Sequence, residues 1–384
     1  MWNRLRDQVL LKIMRWQEKK RAPKPDAPTP IEMEQVNRIL LMTTTAIGDT
    51  LFSTPAIRAV KETYRNKEVH VLCHARNQLL LRENPYINRL LFYQGKRKGI
   101  IKLIRELREG LYDWVVILHS NDPEAIPLAW ATRAPYIIGP GTSRFAEFLS
   151  NKVTCTDDNR HAIERRLDYV RIIGADTVNK KMDLFLSAQS EKNADLILKA
   201  KWKDGLRPLI GLHPTGSGSY KWWPKEYFAT LAQALIERHQ TRLVIFSSHK
   251  EAAVARSIAE NFGEDVLLAH GQYDLLEVAA LMQKCRLFVA NDSGLLHMAL
   301  ALELPTLALI GADNPLRIGP YLVSNSDCLY KKEEVCQELH CLNQACRDNR
   351  CLKAISPEEV LAVIENRFKE NLLNPYDPMG RHEA

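Results

Sequence analysis

Arg38-Ile39-Leu40-Leu41-Met42, followed by Thr43-Thr44-Thr45-Ala46-Ile47-Gly48-Asp49-Thr50-Leu51-Phe52-Ser53-Thr54-Pro55, is an apolar run, a hydroxyl-rich loop and a proline that opens a helical pattern. The apolar run has no polar alternation, as a strand buried on both faces of a parallel sheet requires. Working outward, residues 55–64 read as a helix, 69–73 as the next strand, and 89–92, 114–118 and 136–139 as further strands, with a helix at 100–108. The same grammar restarts at Pro208-Leu209-Ile210-Gly211-Leu212. From there strands are expected at 243–246, 266–269, 287–290 and 306–310, and helices at 225–238, 252–261, 275–283 and 294–302. A polar, Lys-rich stretch at 187–207 separates the two runs. The reading is α/β: two doubly wound domains with a cleft between them.

The chain has 384 residues, 46% hydrophobic and 26% charged, enough for two or three domains and unlike a disordered tail, a collagen-like fibre or a disulfide scaffold. No window of 18 apolar residues and no signal-peptide pattern is present, so a cytoplasmic location is expected. The net charge of +7 is concentrated at the start, where residues 1–24 carry eight basic side chains against Asp7 and Glu18. The body is nearly neutral, which argues against a nucleic-acid partner. In this leader Trp2, Leu5, Val9, Ile13 and Trp16 fall in one helical stripe that ends before the Pro-rich run at 22–30. An amphipathic helix of this kind lies on an anionic membrane surface, or docks its stripe on its own protein or a second subunit.

Ligands of doubly wound sheets bind at loops that follow strands. In the first loop Gly48 permits close backbone approach and Asp49 offers a carboxylate to the cleft; an Asp before a helix also serves as a cap. Neither a dinucleotide fingerprint nor a P-loop is present, which removes support for NAD and NTPase functions. The second loop, His213-Pro214-Thr215-Gly216-Ser217-Gly218-Ser219-Tyr220-Lys221-Trp222-Trp223-Pro224, presents N–H donors at Thr215, Gly216 and Ser217 and a mobile charge at Lys221. At least one of Trp222 and Trp223 is expected in the core. The third, Asn291-Asp292-Ser293-Gly294-Leu295-Leu296-His297, enters an apolar helix whose positive end favours an anion. Asp292 or Ser293 also suits a cap, and His297 also suits an interior hydrogen-bonded histidine. No glycine stands two residues before Ser293, so the serine-hydrolase elbow is missing.

In this order the loops resemble the ADP-heptose:lipopolysaccharide heptosyltransferase family, glycosyltransferase family 9, over residues 36–368. The residues that carry the resemblance are Gly48-Asp49 with Ser53-Thr54-Pro55, Lys221-Trp222-Trp223-Pro224, and Asn291-Asp292-Ser293-Gly294 with His297. Gly311-Ala312-Asp313-Asn314-Pro315 and Gly319-Pro320 match a further family loop. The resemblance implies the GT-B architecture, two facing Rossmann-like domains: an acceptor-side domain at 36–190 and a nucleotide-sugar-binding domain at 191–355. A basic leader and tether (1–35) precede them, and a C-terminal helix and tail (356–384) follow. It implies an inverting transfer of heptose from ADP-heptose to a lipopolysaccharide inner-core hydroxyl, with no metal or other cofactor. The alternative is a related transferase using another nucleotide sugar or glycan acceptor.

Carried over residue by residue, Asp49 resembles the catalytic base and Lys221 the donor-phosphate lysine. Asp292 resembles the donor-sugar contact, with Ser293 and Gly294 at the phosphate-facing helix start and His297 close behind; Thr215, Gly216 and Ser217 join the donor-binding set. After the strand that ends at Phe246, where many members have an acidic residue, this chain has Ser247-Ser248-His249-Lys250-Glu251. Cys328, Cys336, Cys341, Cys346 and Cys351 cluster late in the chain with His340 among them. Reduced structural thiols, a zinc site and disulfides all remain open from this spacing, which lacks paired Cys-x-x-Cys knuckles.

Overall fold

The computed structural model describes residues 2–19, 35–96, 98–203, 207–336, 346 and 348–373. The Pro-rich run at 22–30, His340, Cys341 and the tail beyond 373 lie outside the described residues.

Strands β1 (Arg38–Thr43), β2 (Glu68–His74), β3 (Arg89–Tyr93), β4 (Trp114–Ile117), β5 (Tyr136–Pro140) and β6 (Asn151–Val153) form a parallel sheet in the order β3-β2-β1-β4-β5-β6. Strands β7 (Leu209–His213), β8 (Arg242–Phe246), β9 (Val266–Ala269), β10 (Leu287–Asn291), β11 (Thr306–Ile310) and β12 (Ser326–Tyr330) form a second parallel sheet, β12-β11-β10-β7-β8-β9. Numbered from its own first strand, each sheet has the Rossmann order 3-2-1-4-5-6, which reverses direction between its first and fourth strands. Those reversal points lie between β1 and β4 and between β7 and β10, and they are where a ligand crevice opens.

Burial on both faces explains the unbroken apolar runs. In β1, Ile39 and Leu41 join one apolar cluster while Leu40 and Met42 join another on the opposite face. The cluster holding Ile39 and Leu41 also takes in Val244 and Phe246 of β8, so one core runs from the first sheet to the second. A third cluster lies behind the second sheet, where Ile210 and Leu212 meet Val360, Leu361 and Ile364 of the C-terminal helix Pro357–Arg367.

Strands β6 and β12 and the helices Ala125–Ala131 and Ala162–Arg171 lie outside the sequence reading, and two further stretches differ from it. The first loop holds a short helix, Ile47–Phe52, ahead of the helix Thr54–Thr63. Six residues are too few to show a helical period, and the turn is held by burial of Leu51 and Phe52. The polar stretch at 187–207 contains the helix Ala188–Lys201, capped by Ser187 accepting from the Ser190 N–H at 3.1 Å. Only Ser190, Ala194 and Leu198 of that helix are buried, a face too narrow to read from sequence; it packs on the helix Leu275–Gln283, tied by Asn193 to Glu277 at 2.8 Å.

The leader is a helix, Trp2–Glu18, and the apolar residue it buries completely, Met14, lies outside the predicted stripe. Met14 is fully buried against Leu40 and Met42, with Leu10 and Leu11 packed beside it, whereas Val9, Ile13 and Trp16 are 53%, 47% and 60% exposed. Polar ties hold the docked side: Arg144 to Asp7 at 2.6 Å, Arg15 to Glu147 at 2.7 Å, and the Trp130 indole N–H to Glu18 at 2.6 Å. No described helix is long and apolar enough to cross a membrane.

Candidate active site

Each reversal point supplies charged groups to one cleft. After β1 the chain turns directly into the helix Ile47–Phe52, placing Asp49 in its first turn. Ala46 holds the N-cap position, so the Asp49 side chain is not a cap and is available to other partners. Arg166 Nη2, from the helix Ala162–Arg171, donates to Asp49 Oδ1 at 2.5 Å, and Asn121 Nδ2, from the loop after β4, donates to Oδ2 at 3.3 Å. Burial pushes this carboxyl up, but Arg166 and the Asn121 hydrogen bond outweigh it and hold Asp49 below the usual carboxylate range. His119 lies beside them, its Nε2 accepting from the Thr44 backbone N–H at 3.2 Å; burial, against the pull of Asp122 and Asp49, keeps this imidazole neutral at ordinary pH.

The second reversal point faces the first. The loop after β7 ends in the turn Ser219–Lys221, and Lys221 Nζ donates to Asp292 Oδ2 in the loop after β10. Burial lowers the Lys221 pKa, and the Asp292 carboxylate more than reverses that, so the ammonium is retained. Asn291 fixes the two loops to each other, accepting from the Trp223 N–H at 3.0 Å and donating to Pro214 O at 2.8 Å. Trp223 is core, its indole N–H bonded to Ile355 O at 2.8 Å, while Trp222 is half-buried and donates to Gly216 O at 3.1 Å.

Ser293 caps the helix Gly294–Ala301 by accepting from the Leu296 N–H at 3.2 Å. One turn on, His297 is buried against the Phe52 ring at 4.5 Å with Nε2 3.9 Å from Asp292 Oδ1. Burial drops its pKa to about 4, and its Nδ1 has no hydrogen-bond partner among the described residues. The close approach depends on Gly48, where a Cβ would stand 2.4 Å from His297 Cδ2; reciprocally, a Cβ on Gly294 would stand 3.0 Å from Ile47 Cβ.

Two cavities meet here. One, of about 770 Å³, runs along the second sheet and is lined by Gly216, Ser217, Asp292, Ser293, Gly294 and His297, reaching Ser247 and Glu251 beyond. The other, of about 470 Å³, opens in the first domain and is lined by His119, Asn121, Arg160, Arg165, Arg166 and Arg317. Asp49 and Lys221 line both. Of the nine residues read from the sequence as catalytic or donor-binding, Thr215 alone does not line either cavity: it is fully buried and its hydroxyl donates to Glu251 at 3.2 Å. Arg166, Asn121 and His119 were not legible beforehand; the one available signal was that β4, next to β1 at the reversal point, must deliver its following loop to the same crevice.

Among the described residues no cluster of three metal-ligating side chains occurs, and Cys328, Cys336 and Cys346 are free thiols. The arrangement as it stands offers a carboxylate and an ammonium facing a shared space, each held by an oppositely charged neighbour.

A profile of glycosyltransferase family 9 (heptosyltransferase) matches residues 100–348. The chain is 29% identical over 306 residues to a lipooligosaccharide heptosyltransferase 2 of Haemophilus ducreyi, covering 74% of this chain and 86% of that protein. It is 25% identical over 339 residues to a lipooligosaccharide heptosyltransferase 2 of Campylobacter jejuni, covering 85% and 98%. Among solved structures it superposes on a family 9 glycosyl transferase of Veillonella parvula with a TM-score of 0.75 at 24% identity, covering 87% and 97%. The E. coli ADP-heptose lps heptosyltransferase II superposes with a TM-score of 0.69 at 23% identity, covering 88% and 98%, which shows a shared fold. Twin Rossmann-like sheets facing one cleft are the GT-B arrangement, and with the family profile spanning more than half of its length this chain belongs to glycosyltransferase family 9, the heptosyltransferases.

Proposed function

We propose that this enzyme transfers heptose from ADP-heptose to a hydroxyl of a lipopolysaccharide inner-core sugar, with inversion at the anomeric carbon. As a family 9 member it is a heptosyltransferase-like enzyme that moves a sugar from a nucleotide-sugar donor to an acceptor glycan. The observation that carries this proposal is the meeting of the two cavities at Asp49 and Lys221. The donor diphosphate occupies the 770 Å³ side, over the N–H groups at Gly216, Ser217 and the start of the helix Gly294–Ala301. The acceptor occupies the other side, where Arg160, Arg165, Arg166 and Arg317 suit the acidic sugars of an inner core.

In this reading Asp49 accepts the proton of the acceptor hydroxyl as its oxygen bonds to the anomeric carbon. The bond from that carbon to the diphosphate breaks on the opposite face and its electron pair leaves with ADP. Lys221 turns from Asp292 to the departing diphosphate, where a buried ammonium stabilises the growing charge. We assign the leaving-group charge to Lys221 and the backbone donors, and no metal to the step. Asp292, released from Lys221, is left to accept hydrogen bonds from donor-sugar hydroxyls, with His297 neutral behind it.

The test is incubation with a panel of nucleotide sugars and truncated lipopolysaccharide acceptors, with product mass and released nucleotide as readouts. The expected product carries one added heptose and releases ADP. Transfer from a uridine-linked or guanosine-linked sugar alone, or to an acceptor without acidic core sugars alone, replaces this reading with that of another family transferase.

A further inference from the structure

Among the described residues four arginines line the 470 Å³ cavity, and three of them are committed within the first domain. Arg160 sets Nε and Nη2 on the two carboxylate oxygens of Asp168, each at 2.6 Å. Arg166 holds Asp49 at 2.5 Å, and Arg165 turns Nε and Nη2 to the carbonyl oxygens of Arg160, Asp157 and Asp158 at 2.9 to 3.0 Å. Arg317 differs from all three. It is half-buried, and its guanidinium has no hydrogen-bond or ion-pair partner among the described residues. It also comes from the other domain, on the short helix Pro315–Ile318 that follows β11. The first domain holds that helix at both ends. Ahead of it Asn314 Nδ2 donates to Asn159 Oδ1 at 2.8 Å, and behind it His161 Nε2 donates to Gly319 O at 3.2 Å. The His161 tautomer is fixed, since its Nδ1 accepts from the Ile163 N–H at 3.2 Å.

We propose that Arg317 is the anchor for an anionic group of the acceptor, a sugar carboxylate or a phosphate, so that the donor-side domain reads the acceptor. This rests on the assignment of the acceptor to the 470 Å³ cavity, and it adds which of the four guanidiniums takes the anion. A guanidinium presents paired N–H groups that match two oxygens of one carboxylate or phosphate. Arg160 and Arg166 offer that pairing only by letting go of Asp168 and Asp49, and a part-buried carboxylate left unpaired is costly. Drawing Arg166 away would also disturb the base it holds. Arg317 gives up no partner. The acidic groups of the same cavity do not cancel it: Asp49 and Asp168 are the ones already paired, and Asp313 accepts from the Asn314 N–H at 2.8 Å and lies in the field of Lys221. An acceptor whose anion is held by Arg317 while its sugar rests on first-domain walls bridges the two domains. Its binding therefore favours the arrangement in which Asp49 and Lys221 face one space.

Calorimetry on the full chain measures binding of a truncated lipopolysaccharide core acceptor in three forms: native, with its carboxylates converted to methyl esters, and with its phosphates removed. Affinity lost on esterification assigns the anion as a carboxylate, and affinity lost on dephosphorylation assigns it as a phosphate. Arg317→Gln is expected to weaken the native acceptor by about 10-fold to 100-fold and to bind it no better than the neutralised form. Its ADP affinity and melting temperature are expected to match the parent, since Arg317 does not line the 770 Å³ cavity and the change breaks no contact. Arg317→Lys, which keeps the charge without the paired geometry, recovers part of the loss. If Arg317→Gln binds the native acceptor as the parent does, or loses the same factor for the neutralised forms, the proposal is overturned and the acceptor assignment stands. A parent that binds all three forms equally also overturns it, and a parent that binds none overturns both. No donor is present in the measurement, so the identity of the transferred sugar does not enter the result.

Discussion

At Asp49 two requirements pull in opposite directions. A base in a closed cleft has to be ionised before the acceptor arrives, and burial opposes that; Arg166 settles the conflict by holding the carboxylate charged, which also makes it a weaker base. Asp49→Asn, which keeps the shape, is expected to lower kcat by about 100-fold to 10,000-fold with ADP affinity unchanged, and rates within threefold of the parent remove the base assignment. Arg166→Gln leaves burial opposed only by the smaller pulls of Asn121, His119 and Thr45, so the Asp49 pKa rises and the acid limb of kcat/KM moves to higher pH, with Arg166→Lys restoring part of the shift; a limb that stays in place reduces Arg166 to scaffolding. On the donor side Lys221→Ala removes a charge-assisted phosphate contact and leaves Asp292 facing the diphosphate. Calorimetry is expected to give ADP affinity about 10-fold to 100-fold lower, partly recovered in Lys221→Ala/Asp292→Asn. Asp49, Lys221 and Asp292 are legible because each follows a strand end within eight residues. Arg166 reaches Asp49 across 117 positions and Asn121 across 72, and no local spacing encodes a pairing made only by the fold.

At the scale of elements, the strands buried on both faces are legible in the sequence, whereas the part-exposed edge strands β6 and β12 and the short helices are not, for the same reason. β1, β7, β8, β10 and β11 are buried on both faces and so read as continuous apolar runs; the helix Ala188–Lys201 buries three side chains and read as a separator. The helix Ile47–Phe52 was hidden inside a loop, yet it carries Asp49, and its position depends on its crossing with the helix Gly294–Ala301 of the other domain. That crossing is interlocked, Gly48 under His297 and Gly294 under Ile47. Gly48→Ala forces a methyl group into the imidazole and moves either the ring or the turn that aims Asp49. Its expected signature is a loss of turnover of about tenfold or more together with a lower melting temperature. His297→Ala creates the missing space, so the double variant Gly48→Ala/His297→Ala is expected to be more stable than the sum of the two single changes. A Gly48→Ala protein equal to the parent in both melting temperature and turnover shows that the crossing has slack.

Over the whole molecule the two domains are joined through histidines that burial keeps neutral. His161 caps the helix Ala162–Arg171 of the first domain, stacks on Tyr321 at 4.2 Å and sets its Nε2 3.2 Å from Gly319 O. His297 lies under Gly48 and against the same Phe52 ring that His161 meets edge-on at 5.6 Å. Burial brings both down to about 4, against the pull of the Gly319 carbonyl on His161 and of Asp49 on His297. In the unfolded chain both titrate near 6.5. Between about pH 6.5 and 4 the unfolded state therefore binds more protons than the folded one, so the stability these groups contribute is complete above that window and is lost as the pH falls through it. The Asp49–Arg166 pair acts in the same direction but lower on the scale, since the carboxyl pKa is depressed below its ordinary value and its contribution is lost only as the pH falls through that lower value. The melting temperature is expected to hold steady from pH 8 to about 7 and to fall from there to pH 5. Because both histidines sit where the domains touch, acidification is also expected to raise the radius of gyration in small-angle scattering before secondary structure is lost. His161→Gln, which cannot titrate, is expected to blunt the fall between pH 7 and 5. A melting temperature that is flat across that interval in the parent, or a fall of the same size in His161→Gln and the parent, shows that the junction is held independently of its histidines.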